Sequence, residues 1–364
     1  MKVVVSKEDL AGALRKTLSA VNSKNTIPIL HNVMLQSDDE GFSVTATDLE
    51  ICIRSQAEAQ VERPGCTTLP ARKLSQIVSV LPEGEVTLET DDNQQTSISC
   101  QRSFFKMLGL NPEEFPREQT EEPTWSLTLP AADFKRTLGK VSYAVSHDES
   151  RYVLNGTLLS VRSGTLTTVA TDGRRLALVE QNLSENEVAD FDVILPAKAV
   201  SELLKVLEGD EELQIGMTDS QATFTMKNLL LTSKLVEGNY PNYRQVIPAA
   251  FSNSAIVQRE DFIEVLNRVS MMISESSTTV NMKLEKGLMT VSAVSSEFGE
   301  GNEPIDVSYD GEPINISFNP TFIVDPLRHM EADQAVFQFN DEFSPTSISG
   351  DEGFLCVVMP MRSS

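Results

Sequence analysis

Residues 169–175 read VATDGRR, a β-branched run broken by a turn. The Thr-Asp step recurs 124 residues earlier, as Thr47 and Asp48 of TATDLE (45–50), and Ser295 and Ser296 of VSAVSSE (291–297) lie 124 residues later. Each step follows a short β-branched or alternating segment, FSVTA, LTTVA or LMTVSA, and so reads as a strand running into a turn. Self-similarity at a fixed period marks a repeated structural unit.

Helix signals fall on the same ruler. KEDLAGALRKTLSAV, AADFKRTLGKVSYAV and REDFIEVLNRVSMMI align Leu10, Phe134 and Phe262, at steps of 124 and 128. A second helix in each unit opens with proline, in LPARKLSQIVSVL, LPAKAVSELLKVL and FNPTFIVDPLRHM, where Pro70, Pro196 and Pro320 step by 126 and 124. Proline suits the first helical turn because the amide it lacks has no intrahelical partner there. Leu10, Leu14, Leu18 and Val21 form one apolar stripe and Leu74, Ile77, Val78 and Leu81 another, so each helix packs one face on a sheet. The intervening runs VTLETD, SISCQ, TFTMK and LLLTSKL predict antiparallel strands, giving an α+β class. Polar, proline-bearing stretches at 110–125 and 235–253 read as linkers. Phe115-Pro116 and Tyr240-Pro241 sit 125 apart within them, and Met359-Pro360 follows 119 later, where a linker to a further unit would begin.

At 364 residues the chain is too long for one core, and 30 basic against 53 acidic residues give a net charge of −23, which argues against generic nucleic-acid coating. The acids gather in turns (SDDEG 37–41, ETDD 89–92, SENE 184–187, EGDEE 208–212), whereas Arg15, Lys16, Arg72, Lys73, Lys135, Arg136, Lys140, Lys198, Lys205, Arg268 and Arg328 fall on predicted helices. Screening confines each field to about 10 Å, so a locally positive track is compatible with the acidic total. Cys52, Cys66, Cys100 and Cys356 show no zinc or CxxC spacing and read as buried free thiols; no metal or cofactor is expected. MKVVVSKEDL lacks a signal-peptide core and no run reaches membrane-spanning length, so a cytoplasmic protein without membrane contact is expected. TDGRR (171–175) and His147 beside Asp148 were the strongest enzymatic signals, but there is no phosphate-loop, nucleophile-elbow or zinc-protease motif, and three scattered histidines predict no catalysis.

Taken together, residues 68–73, LHN and TATDLE (30–50), RYVLNG (151–156), TVATDGRRLAL (168–178), SKLVEGNYPNYRQVIP (233–248) and the closing VVMPMR resemble the bacterial DNA polymerase III beta subunit, or beta sliding clamp, family over the full length. The resemblance implies the DNA clamp fold: three domains, 1–117, 126–243 and 252–364, each with two helices on antiparallel sheets, closing head to tail as a homodimeric ring. It implies a processivity factor that encircles double-stranded DNA without reading its sequence. Phosphate contacts would come from Lys24, Arg72, Lys140, Tyr152, Lys198 and Lys205.

A hydrophobic groove would tether the DNA polymerase III alpha subunit, the clamp loader delta subunit and other motif-bearing proteins such as translesion polymerases, ligase and mismatch repair proteins. By resemblance its residues are Leu154, Thr171, Gly173, Arg174, Arg175, Leu176, Pro241, Gln245, Val246, Phe343, Val357, Met359, Pro360, Met361 and Arg362. Arg175 or Arg362 would take a peptide carboxylate or carbonyl, and Gly173 would permit close backbone approach. The dimer joint would set Lys73, Arg102, Phe105 and Met107 against Met271, Met272, Glu297, Glu300 and Glu303. Arg174 and Gln245 depart from the histidine and arginine common in the family, Val153 from an aromatic, and Ser277 from a joint phenylalanine. A peptide-binding scaffold that never encircles DNA is the alternative reading.

Overall fold

The computed structural model describes residues 1–21, 26–117, 121–183, 189–274 and 278–362. Lys24, Ser277 and the acidic run 184–187 lie outside the described residues. All six predicted helices form: α1 (Lys7–Thr17), α2 (Ala71–Val80), α3 (Ala131–Ser142), α4 (Ala197–Val206), α5 (Arg259–Val269) and α6 (Pro320–His329). Ser6 caps α1 by accepting from the Asp9 amide at 3.0 Å, and Asn319 caps α6 by accepting from Thr321 at 3.0 Å. Of the three prolines only Pro320 is a first helical residue. Pro70 and Pro196 end the strands Gly65–Pro70 and Phe191–Pro196, because they still lie in ladder register opposite Asn32 and Gly156 before the helices begin.

Contacts gather the chain into two compact units, Met1–Lys135 with Lys198–Leu235, and Arg136–Ala197 with Val236–Ser364. The first unit has a five-stranded sheet, in the order Ala59–Arg63, Lys2–Ser6, Glu85–Thr90, Gln95–Cys100, Ser103–Leu108. Its eight-stranded sheet runs Trp125–Pro130, Glu212–Met217, Gln221–Met226, Leu229–Lys234, Ile51–Ala57, Gly41–Thr47, Asn32–Asp38, Gly65–Pro70. The second unit has an eight-stranded sheet, Phe191–Pro196, Gly156–Arg162, Thr165–Thr171, Arg175–Asn182, Phe354–Val358, Thr346–Ser349, Gln334–Phe339, Asn253–Gln258. Its four-stranded sheet runs Gly299–Asp306, Leu288–Ser295, Val280–Glu285, Ile314–Phe318. Pairing is antiparallel throughout, as expected. Each eight-stranded sheet is shared by two sequence repeats, through Leu229–Ser233 on Ile51–Ser55 in one unit and Arg175–Val179 on Phe354–Val358 in the other.

The three repeat anchors all lie in cores. Leu10, Phe134 and Phe262 are fully buried, with Phe134 stacked on Phe224 at 5.9 Å and Phe262 edge-on to Phe337 at 5.5 Å. Of the cysteines only Cys100 and Cys356 are buried. Cys66 is exposed and Cys52 intermediate, since both point away from the helix-covered face of their strands. Burial pushes the Cys356 thiol up to about 12. Among the described residues no helix is long and apolar enough to cross a membrane, and no cluster of His, Cys, Asp and Glu is arranged to hold a metal. Phe262→Ala should remove its edge-on contact and leave a cavity, costing about 3–5 kcal/mol. Urea unfolding followed by circular dichroism checks this.

Candidate functional site

The repeated Thr-Asp step is one hydrogen-bonded turn built twice. Thr171 Oγ1 donates to the Arg175 carbonyl at 2.6 Å and accepts from the Gly173 amide at 3.1 Å, while Asp172 Oδ1 accepts from the amides of Arg174 (2.8 Å) and Arg175 (3.0 Å). Thr47 and Asp48 make the same four bonds to residues 49–51. The second position after the strand needs the left-handed region, with Gly173 at φ +85° and Leu49 at φ +79°. A Cβ on Gly173 would also lie 2.8 Å from an Arg151 nitrogen. The third repeat has serine for aspartate and keeps only the hydroxyl bond, from the Glu297 amide to Ser295 Oγ at 3.2 Å.

This turn carries Arg175 inward. Its Nη1 donates to Asp325 at 2.6 Å, Nη2 to the Tyr143 carbonyl at 2.6 Å and Nε to Asp172 at 3.2 Å, with the guanidinium lying over the Phe322 and Tyr143 rings at 4.6 and 5.3 Å. The expectation that Arg175 meets a peptide carboxylate is therefore corrected. Every donor-bearing nitrogen is occupied within the chain, and the residue positions the turn. Arg174 and Arg362 remain exposed.

Beside the turn, Leu158, Val169, Leu176, Leu178, Ile194 and Val357 form a buried apolar cluster on one face of the second unit's eight-stranded sheet. Leu176 and Val357 are directly paired across neighbouring strands. The 235–253 linker is one wall of it: Val236, Tyr240, Tyr243 and Ile247 pack on the cluster, with Val153 and Leu355. Reading that linker as a polar spacer overlooked these residues; its run of Tyr240, Tyr243, Val246 and Ile247 is the signal that identifies them. Leu154 is buried, whereas Pro241 is exposed just before the short helical turn Tyr243–Val246, and Gln245 and Val246 are exposed on it. Residues 359–361 are tied down: the Met359 amide donates to the Arg174 carbonyl at 2.9 Å and that of Met361 to the Ser317 carbonyl at 2.7 Å. Met359 is 39% exposed, Pro360 and Met361 half-buried. Phe343 stands 63% exposed in a turn organised by Asp341, which accepts from the amides of Phe343 and Ser344 at 2.8 Å each.

The expected DNA-facing cations divide. Arg72 and Tyr152 are exposed. Lys198 pairs with Asp48, and Lys205 donates to the buried Glu202 carboxylate at 2.9 Å. Lys140 is corrected: its side chain is 9% exposed and its ammonium lies 2.6 Å from Asp351. Burial opposes ionisation of Asp351, but hydrogen bonds from Lys140 and the amides of Glu331 and Ala332 together hold its carboxyl below the ordinary range.

The two ends assigned to the joint each present a strand that closes its sheet. On Ser103–Leu108 the side-chain alternation puts Phe105 and Met107 on the core face, at 36 and 7% exposure, and Phe104 and Leu108 on the opposite face at 65 and 70%; Arg102, next to the strand, and Lys73, on α2, are exposed. Met107 is thus corrected, and Phe104 and Leu108 were missed. At the other end Met271 is 76% exposed, and Val294 and Phe298 at 63 and 55% were also missed. Met272 packs over Gly301, Glu297 and Glu300 are exposed, and Glu303 is held by Arg268 of the same chain at 2.7 Å, so its charge is already committed.

Repeated α+β units with a partly covered apolar cluster and exposed apolar residues at sheet edges, and no catalytic constellation among the described residues, fit a binding protein. The N-terminal, central and C-terminal domain models of the DNA polymerase III beta subunit match residues 1–119, 128–242 and 244–362. The beta sliding clamp of Chlamydia muridarum is 33% identical over 362 residues, covering 100% of this chain and 99% of the relative. Crystal structures of the Bacillus subtilis DNA polymerase sliding clamp (30% identity, TM-score 0.95) and the griselimycin-bound Pseudomonas aeruginosa clamp (29%, 0.96) each cover 100% of both chains. The chain belongs to the DNA polymerase III beta subunit family, the beta sliding clamps. It is a DNA sliding clamp, a non-catalytic processivity factor of replication.

Asp351 tests the buried pair. A depressed folded-state value means its stabilisation is present above the unfolded carboxyl value of about 3.9 and is lost as pH falls through the folded one. Asp351→Asn, which leaves Lys140 buried and unpartnered, should cost about 3–5 kcal/mol at neutral pH. The gap from wild type should close below about pH 4, read as melting temperatures across a pH series.

Proposed function

We propose that two copies of this chain close head to tail into a ring of three domains each, 1–117, 126–243 and 252–364, around double-stranded DNA. The observation that carries this reading is the pair of sheet-closing strands, Ser103–Leu108 and Gly299–Asp306, which carry or adjoin exposed apolar side chains and have opposite nearby charges. Phe104, Phe105 and Leu108 with Lys73 and Arg102 meet Met271, Val294 and Phe298 with Glu297 and Glu300, and the strand edges can continue one sheet across the joint. Such a ring holds duplex by enclosure, so it needs only weak, mobile phosphate contacts from Arg72, Tyr152, the outward sides of Lys198 and Lys205, and Lys24. It works in the cytoplasm.

The groove of the second unit binds the apolar motif of the DNA polymerase III alpha subunit, the clamp loader delta subunit, translesion polymerases, ligase and mismatch repair proteins. Leu176, Val357 and the linker tyrosines form its floor, and Val246, Met359, Pro360 and Met361 its adaptable rim. Arg362 and Arg174 face the peptide backbone or an acidic group, while Arg175 holds the turn from behind.

Separate experiments test the ring and the groove. Phe104→Glu with Leu108→Glu should weaken dimerisation by about 10–100-fold in sedimentation from nanomolar to micromolar concentration, the size expected for buried interface anchors. Wild type loaded on a circular plasmid should be released when the circle is cut; retention after cutting, or a monomer at every concentration, removes the ring. For the groove, Met359→Asp should weaken a fluorescent polymerase-tail peptide about tenfold with an unchanged melting temperature. Arg175→Lys should weaken it and lower the melting temperature together, because one ammonium cannot serve three acceptors.

A further inference from the structure

The eight-stranded sheet of the first unit repeats the register that carries the apolar cluster of the second. In the second unit one cross-strand row runs Ile194, Leu158, Val169, Leu178, Leu355. Its counterpart in the first runs Thr68, Met34, Thr45, Arg54, Leu230. One row further along, the Leu176–Val357 pair is matched by Cys52 and Thr232. A linker lies on each face, with Tyr240 on the second unit's cluster and Phe115 packed with Ile29, Leu30 and Met34 in the first. The architecture is the same and the lining is different.

In the first unit this face holds an open cleft of about 620 Å³. Met34, Leu230 and Phe115 supply apolar wall, and Arg54, Arg117 and Gln36 supply donors. Arg54 is half-buried between Thr45 and Leu230 and makes no hydrogen bond or ion pair among the described residues; the same holds for the exposed Arg117. A guanidinium partly withdrawn from water with its planar fork unmet is built for an anionic partner. In a chain of net charge −23, two such groups in one cleft are a local reversal of sign.

We infer that this cleft is a second binding groove, which takes an extended acidic peptide, its carboxylate on Arg54 and Arg117 and a neighbouring aliphatic side chain against Met34, Leu230 and Phe115. Glu113 lines the same cleft and disfavours a run of phosphates, while a single carboxylate between two guanidiniums is well matched. The volume suits a few residues of chain. The parallel with the other unit is one of register alone and stands whether or not that unit's groove takes peptides.

Cys66 provides the readout, since it is exposed and lines the cleft while Cys100 and Cys356 are buried. The full chain is alkylated with iodoacetamide and Cys66 modification is timed by mass spectrometry, with and without the capped peptide Glu-Val-Glu-Leu. At a peptide concentration about four times its Kd, alkylation of Cys66 should slow about fivefold. Gln-Val-Gln-Leu should not protect. Protection should vanish in Arg54→Gln and in Arg117→Gln, and persist in Met359→Asp. Circular dichroism melts verify folding, and Arg117→Gln, at an exposed position, gives the reading if Arg54→Gln is unfolded. Absence of protection, equal protection by the neutral peptide, or protection surviving both arginine variants overturns the proposal. So does equal protection by inorganic phosphate, which would mark a simple anion site.

Discussion

Backbone pairing between successive repeats is the constraint on which the rest of the molecule depends. Arg175–Val179 lies against Phe354–Val358, and Leu229–Ser233 against Ile51–Ser55, so four strands of one repeat and four of the next become a single sheet. The ladder supplies backbone hydrogen-bond partners across these seams, which a docking of closed domains would not provide. The same pairing sets Leu176 beside Val357, ties Met359 to Arg174 and brings a linker down as a wall. The apolar cluster is a by-product of sharing a sheet.

Charge is used in two ways. Arg175, Lys140, Lys198 and Lys205 are drawn into ion pairs within the chain, which commit part of their hydrogen-bonding capacity to turns and helices of the same molecule. The cations left outward, such as the exposed Arg72, have fields that salt screens within about 10 Å, so a locally positive surface is compatible with an acidic protein. Helix position therefore does not tell which use a lysine serves: Lys140 and Lys198 both lie on helices, and one is buried while the other is partly open.

The sheet-closing strands show how little separates core from interface. On Ser103–Leu108 consecutive residues alternate faces, so Met107 completes a core while Leu108, one residue on, is 70% exposed. Among the described residues the largest exposed apolar side chains include Phe104, Leu108, Met271 and Val294, on or beside strands that end their sheets or neighbour one. Such edges invite pairing with another chain.

The 124-residue period, the six helices and the antiparallel class were all legible in the sequence, because they rest on local signals: a Thr-Asp turn, a capped amphipathic stripe, a β-branched run. The family, too, was legible from motif order. What residue order left open was the partner of each side chain. That Arg175 faces Asp325 across 150 residues, that Lys140 meets Asp351, that Met107 turns in, and that one row of a repeated sheet is Leu and Val in one unit but Thr and Arg in the other are settled only by register and long-range packing. Periodicity tells which face of an element is apolar; which other element covers that face depends on contacts between residues far apart in the chain, and no local pattern encodes them.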